Sequence, residues 1–96
     1  MGKGDGKKRG LHLRLYVAGN APNSIRAVAN AKALCAEHYD QDCVLEIVDM
    51  LEEPLRALED KIIVTPTLLR LQPLPARRVI GSLSDTAEVL LALGPR

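Results

Sequence analysis

The sequence predicts a single α/β domain with the element order βαβαββα, in which two parallel strands precede an antiparallel hairpin. Three observations favour this fold. Two strand-like stretches, residues 11–19 and 43–50, flank one long segment of helical periodicity, which is the pattern of a βαβ unit. A proline turn at residues 73–75 then separates two further apolar runs, as in a hairpin. The third observation is length, because 96 residues suit one domain, which we place at residues 11–94.

Composition limits the classes of function. The chain is 47% hydrophobic and 26% charged, as in globular proteins. Its net charge of +1 gives no field that would attract nucleic acid, and no apolar run is long enough for a membrane span or a signal peptide. We therefore expect a cytoplasmic protein, with residues 1–10 as a flexible basic tail. Cys35 and Cys43 fit neither a CxxC nor a zinc pattern, so we expect reduced cysteines that serve packing.

The first strand and the first helix are predicted from the spacing of apolar residues. Alternation of apolar and polar residues from Leu11 to Val17 indicates a strand with one buried face. Asn20 as a cap and Pro22 in the first turn predict the start of a helix that extends to about His38. The predicted buried stripe of this helix follows helical spacing and consists of Ile25, Val28, Ala31 and Cys35.

The second half of the domain is predicted as helix, hairpin and helix. Two acidic residues followed by Pro54 are a start signal for a short helix. The first hairpin strand is predicted at residues 67–72, directly before the proline turn. A cap at Ser84 or Asp85 and a stop at Gly94 predict the last helix.

A Thr-Pro step at Pro66 stands directly before the third predicted strand. Two parallel strands followed by a hairpin are the arrangement of the thioredoxin-like fold, in which a cis-proline occupies this position. A redox enzyme of this fold needs a reactive cysteine where the first strand meets the first helix, and residues 18–24 contain none. No motif for catalysis, metal or phosphate binding is present. We therefore expect a binding protein that is not an enzyme and has no cofactor or metal.

Three stretches of the sequence resemble the KaiB family of circadian clock proteins. They are LRLYVAGNAPNSIRAVANAKAL, VLEIVDMLEEPLRALEDKIIVTPTLLRLQPLPARRVIG and LSDTAEVLLAL, which together extend from about Leu11 to Leu93. The resemblance implies a protein that binds the N-terminal ATPase domain of a KaiC-type ring, in a complex that captures KaiA and displaces the sensor kinase SasA. It also implies a metamorphic protein with two forms, a tetramer with the order βαββααβ and a thioredoxin-like monomer.

The resemblance assigns candidate partner-binding residues. For each of them, partner binding and a simple solvent-exposed charge without a binding role are equally expected. The basic positions that match the family are Lys8, Arg9, Arg26, Lys61, Arg77 and Arg78. We add Glu46, because many clock members have a lysine there, in a strand that can form an edge facing partners.

Asp85, Ala92 and Gly94 are the predicted determinants of the form that the chain adopts. In the tetramer the segment 85–93 would be a strand, whereas its residues favour a helix closed by Gly94. Ala92 stands where relatives commonly have glycine, and alanine inside a helix is favoured by roughly 1 kcal/mol. We therefore predict a resting thioredoxin-like monomer, with the tetramer as the alternative.

Three other functions remain open. A divergent paralogue outside the clock, in a stress or signalling pathway, is favoured by Glu46 and by the end of the sequence at Arg96, where family members commonly continue into an acidic tail. A thioredoxin-like enzyme that binds small thiols would use Pro66 and the loop at Asn20. A homo-oligomeric structural protein in the tetrameric fold is the third.

Overall fold

The computed structural model describes residues 10–39 and 42–94. Within these residues, three helices and four strands follow one another in the predicted order, not in the order of the tetramer form. They are β1 (Leu11–Val17), α1 (Pro22–His38), β2 (Cys43–Asp49), α2 (Pro54–Glu59), β3 (Thr67–Gln72), β4 (Arg77–Ile80) and α3 (Thr86–Leu93).

The four strands form one sheet with the order β2-β1-β3-β4, so β1 is central and β2 is an edge strand. β1 and β2 are parallel, as the long helix between them requires, and this register places Arg14 beside Glu46. β3 runs antiparallel to both β1 and β4, so Thr67 at its start pairs with Tyr16 near the end of β1. The proline turn between β3 and β4 is confirmed.

One face of the sheet carries the larger core. The alternating leucines of β1 point to this face, as predicted, and α1 and α3 cover it. Its fully buried members include Leu13, Leu15 and Leu68 from the strands and Leu93 from α3. Burial of these side chains is the main apolar contribution to stability.

The other face of the sheet is also partly buried, which corrects the prediction of a single buried face for β1. Tyr16 is 0% exposed and packs with Val48, Ala57, Ile62 and Leu69 under α2. In the alternation pattern tyrosine counts as a polar residue. Its ring is apolar, however, and its hydroxyl can be buried here because it donates a hydrogen bond to Asp60. α2 therefore covers the carboxyl end of β1 and β2.

α1 has its predicted bounds, but its buried face is shifted from the predicted stripe. Ser24, Ala27 and Ala31 are buried, whereas Ile25 is 56% exposed. Small side chains allow the helix to lie close to the sheet, so the larger isoleucine points away from it. Asn20 does not cap the helix: Ala21 is the capping residue, without a side-chain hydrogen bond.

Cys35 and Cys43 are joined in a disulfide bond, with their Cα atoms 5.6 Å apart. The prediction that both cysteines are reduced is therefore wrong, whereas the prediction that Cys35 packs against the core is confirmed. The pairing follows from topology, because the chain reverses between the end of α1 and the start of β2. A spacing of eight residues carries no local signal for such a contact.

Both ends of α3 are held by side chains. At its start Asp85 is the cap, and its carboxylate accepts a hydrogen bond from the backbone N–H of Glu88 at 3.1 Å. At its end the buried Arg70 donates to the Leu93 carbonyl at 2.6 Å, and Tyr39 donates to the Gly94 carbonyl at 2.8 Å. The predicted cap at Asp85 and the stop at Gly94, which has a φ of 82°, are confirmed.

Replacement of the α3 cap should destabilise the protein. We expect Asp85→Ala to lower the free energy of unfolding by about 1 kcal/mol, because the N–H of Glu88 loses its acceptor. Asp85→Asn retains an oxygen acceptor and should cost much less. Urea denaturation measures the change, with Ser84→Ala as the matched control. An equal loss in Asp85→Ala and Ser84→Ala would contradict this assignment of the cap.

Candidate functional site

A pair of opposite charges lies on the face of the sheet that α2 covers in part. Arg14 of β1 and Glu46 of β2 are neighbours in the parallel register. The Nε of Arg14 donates to Oε1 of Glu46 at 2.8 Å. This ion pair joins the central strand to the edge strand through side chains as well as through the backbone.

α2 and Asp60, the residue at its carboxyl end, add two further members to this pair. A guanidinium nitrogen of Arg56 lies 2.6 Å from Oε2 of Glu46, and a second nitrogen of Arg14 lies 2.9 Å from Oδ2 of Asp60. The Tyr16 hydroxyl donates to the same oxygen of Asp60 at 2.6 Å. We call these five residues the charge network.

The charge network shifts the pKa of its members. Hydrogen bonds from Arg14 and then Arg56 lower the pKa of Glu46 from its ordinary value. Burial alone would raise the pKa of Asp60, but hydrogen bonds from Tyr16 and Arg14 outweigh it, so that this pKa is lowered. Burial, together with the hydrogen bond to Asp60, raises the pKa of Tyr16 to about 12. Both carboxylates are therefore charged, and Tyr16 is neutral, near neutral pH.

A cleft of about 390 Å³ lies next to the network, between the end of α2 and the β3–β4 hairpin. Arg78 shapes its wall, because its guanidinium donates to the carbonyls of Asp60 at 2.9 Å and Lys61 at 3.1 Å. Lys61 has a positive φ of 58°, which turns the chain out of α2. The cleft is lined by Glu59, Asp60, Lys61, Leu69, Leu71, Ala76, Arg77 and Arg78.

The structure brings together three of the predicted basic residues, Lys61, Arg77 and Arg78, around this cleft. Among the described residues, the side chains of Lys61 and Arg77 have no hydrogen-bond or ion-pair partner. Arg26 lies elsewhere, exposed on α1, and donates to Asn23 at 3.0 Å. Glu46 belongs to the charge network.

Two of the predicted partner-binding residues, Lys8 and Arg9, lie outside the described residues. Their assignment to partner binding stays a prediction.

Sequence reasoning missed a group of exposed apolar residues on and around α2. Leu55 and Leu58 are each 72% exposed, and Ile63 is 89% exposed. A spacing of three residues is typical of a helix face that packs on a core. In α2, however, Ala57 is the buried residue, and both leucines point away from the sheet. We call the group the α2 surface; its members are Leu51, Leu55, Leu58, Ile63 and Val64.

Pro66 follows a cis peptide bond at the entrance to β3, as predicted. It lies at the end of the sheet where β1 terminates, because Thr67 pairs with Tyr16. Cys43, by contrast, pairs with Leu11 at the opposite end. The two cysteines of the chain therefore form no redox site around Pro66.

The described part of the chain contains no cluster of three potential metal ligands among its His, Cys, Asp and Glu residues. None of the helices in the same residues has the length and apolar character needed to cross a lipid bilayer.

Solved structures with a similar backbone define the fold class of this protein. The N-terminal domain of SasA from Synechococcus elongatus superposes with a TM-score of 0.71 at 24% identity, over 86% of this chain and 80% of that one. Mitochondrial thioredoxin 3 from Saccharomyces cerevisiae reaches a TM-score of 0.71 at 17% identity, over 90% of this chain and 79% of that one. The predicted thioredoxin-like fold is thus confirmed.

The sequence comparisons then identify the family. A family model described as the KaiB domain matches residues 14–95. The circadian clock oscillator protein KaiB of Synechococcus elongatus is 48% identical over 84% of this chain and 79% of its own. That of Microcystis aeruginosa is 45% identical over 90% and 83%. The circadian clock protein KaiB3 of Synechocystis sp. is 48% identical over 84% and 79%.

The chain belongs to the KaiB family, as the resemblance of its motifs indicated. The relatives are named as clock proteins and not as enzymes, in agreement with the prediction of a noncatalytic protein. A KaiB-type clock role is therefore the functional class of this chain.

Acid should remove the stability that the charge network supplies. Because folding lowers the pKa values of Glu46 and Asp60, their contribution is complete above the ordinary values of 4.5 and 3.8 and is lost as pH falls through the lower folded values. We expect the free energy of unfolding to decrease between about pH 5 and pH 2, and to decrease less in Glu46→Gln.

Urea denaturation across this pH range measures the effect. Glu37→Gln, a change of the same chemistry at an exposed position on α1, is the control. If Glu46→Gln and the wild type lost the same stability on acidification, the assigned role of this carboxylate would be incorrect.

Proposed function

We propose that this protein is a KaiB-type clock protein that binds the N-terminal ATPase domain of a KaiC-type ring, and that it does so in a complex that captures KaiA-type partners and displaces SasA-type kinases. Membership of the KaiB family supports the clock role. The similarity of its backbone to the SasA N-terminal domain supports competition for one binding surface.

The observation that carries the proposal is the proximity of a basic cleft to an exposed apolar segment. Lys61 and Arg77 offer cations at the cleft, and Leu58 and Ile63 offer apolar surface on either side of Lys61 in the chain. Apolar side chains exposed together are typical of protein interaction sites. Charges at the margin of such a site favour the correct partner and speed its association.

The proposed interface therefore centres on residues 51–64 and on the cleft behind them. Lys61, Arg77 and Arg78 are its proposed basic residues. Arg26, on the opposite face of the sheet, is proposed as a separate contact, together with Lys8 and Arg9. Glu46, on the edge strand, is proposed to contribute to partner binding through its contacts with α2.

We further propose that the protein rests as a cytoplasmic monomer in the thioredoxin-like form and does not build the tetramer. The observed helix α3, with Asp85 as its cap and Ala92 inside it, supports this form. Alanine at position 92 stabilises a helix relative to glycine by about 1 kcal/mol.

Replacement of Ala92 tests the resting form. In the wild type we expect helical Cα chemical shifts for residues 88–91 in NMR spectra, and a monomer by size-exclusion chromatography with light scattering. Ala92→Gly should lower the stability of α3 by about 1 kcal/mol and weaken those helical shifts.

The matched control is Ala36→Gly, an exposed position in α1. It should cost a similar amount of stability without affecting signals from residues 52–93. Strand shifts at Glu88–Leu91 in the wild type would contradict the proposed form.

Charge reversal at the cleft tests the proposed partner. We expect Lys61→Glu and Arg77→Glu each to weaken binding to an isolated KaiC N-terminal ATPase ring by about tenfold, because each places an acid where a cation faces the partner. Biolayer interferometry at two salt concentrations measures the affinity. Lys32→Glu, an exposed reversal on α1, should leave it unchanged. Equal affinities for all four proteins would exclude the cleft as the interface.

A further inference from the structure

α2 has little apolar attachment of its own to the sheet. It has only six residues, its start has no side-chain cap, and Ala57 is its one buried residue. A helix of this length is marginal without tertiary contacts. Leu55 and Leu58 point outwards, away from the sheet. The remaining contacts that can hold α2 on the sheet are those of its polar groups.

The charge network supplies these contacts on the last turn of α2. Arg56 reaches Glu46 on the edge strand at 2.6 Å, and Asp60 receives hydrogen bonds from Arg14 at 2.9 Å and Tyr16 at 2.6 Å. The two attachments are four residues apart, which is about one helical turn. They therefore fix both the rotation and the position of the helix end.

Lys61 is the next residue after this anchored turn. Its backbone N–H donates to the Leu58 carbonyl at 3.0 Å, and its own carbonyl accepts from Arg78. A shift of the helix end would move Lys61 relative to Arg77 across the cleft. The geometry of the basic cleft thus depends on whether α2 stays anchored.

We infer that Glu46 is a positioning residue, which holds α2 through Arg56 and thereby places Lys61 for a macromolecular partner. Both carboxylate oxygens of Glu46 are engaged internally, Oε1 by Arg14 and Oε2 by Arg56. Its charge is therefore used to orient α2 and not to touch the partner. This inference rests on the proposed function, since the partner is taken to be the KaiC-type ring.

The first experiment measures the attachment of α2 in the free protein. Amide hydrogen exchange at Asp60 and Ile62, whose N–H groups bond to the carbonyls of Arg56 and Ala57, reports opening of the helix end. We expect Glu46→Gln and Arg56→Gln each to speed this exchange by about threefold to fivefold, and the double variant no more than either alone. Glu37→Gln should have no effect.

Salt gives an independent check. Raising the salt concentration should speed exchange at Asp60 and Ile62 in the wild type, because screening weakens the ion pairs, but much less in Glu46→Gln. Exchange that is the same in the wild type and Glu46→Gln would overturn the inference.

The second experiment measures the affinity of the full chain for the KaiC N-terminal ATPase ring. Glu46→Gln should weaken binding about threefold in the wild-type background and have no effect when Lys61 is already alanine, since the loss arises through Lys61. A purely structural role for Glu46 would lower both affinities equally.

The outcomes separate the two proposals. If the wild type fails to bind the ring, the proposed function is wrong. The proposal that Glu46 places Lys61 for that partner is then wrong as well. If the wild type binds and Glu46→Gln binds equally well, or the loss persists in the Lys61→Ala background, the positioning role is wrong while the proposed function stands.

Discussion

Arg14 donates to two carboxylates at once, Glu46 on the neighbouring strand and Asp60 at the end of α2. This arrangement is the constraint on which the α2 side of the molecule depends. Without it, the six residues of α2 would be held to the sheet by fewer contacts, namely the Arg56–Glu46 ion pair, the Tyr16–Asp60 hydrogen bond and the packing of Ala57. With it, the short helix has a defined position, the chain leaves it in a fixed direction at Lys61, and a cleft with a basic margin forms behind it.

The distribution of charge explains why the site suits binding and not catalysis. The acids with lowered pKa values, Glu46 and Asp60, are neutralised by arginines and offer no proton to a substrate near neutral pH. The cysteines are paired at the far end of the sheet from Pro66. The cleft presents three cations and two acids, Glu59 and Asp60, beside apolar side chains. Such a mixture of groups is suited to recognition of another macromolecule.

Local patterns predicted the elements of the fold, and long-range register determined the site. Alternation in β1 and the cap at Asp85 depend on neighbours within a few residues, so both were visible in the sequence. Glu46 meets Arg14 only through parallel pairing, and Arg56 joins them only once α2 folds back. Such contacts link residues far apart in the chain and carry no short-range signal. The family resemblance, in turn, gave Lys61, Arg77 and Arg78 as candidates without showing that they share a cleft.

The carboxyl end of α3 has a consequence for motion. Helix ends usually fray, because their last carbonyls have no partner within the helix. Here Arg70 from β3 holds the Leu93 carbonyl, and Tyr39 from the end of α1 holds that of Gly94. Two distant segments thus close the terminal turn, so unwinding of α3 from its end requires that both of these hydrogen bonds break.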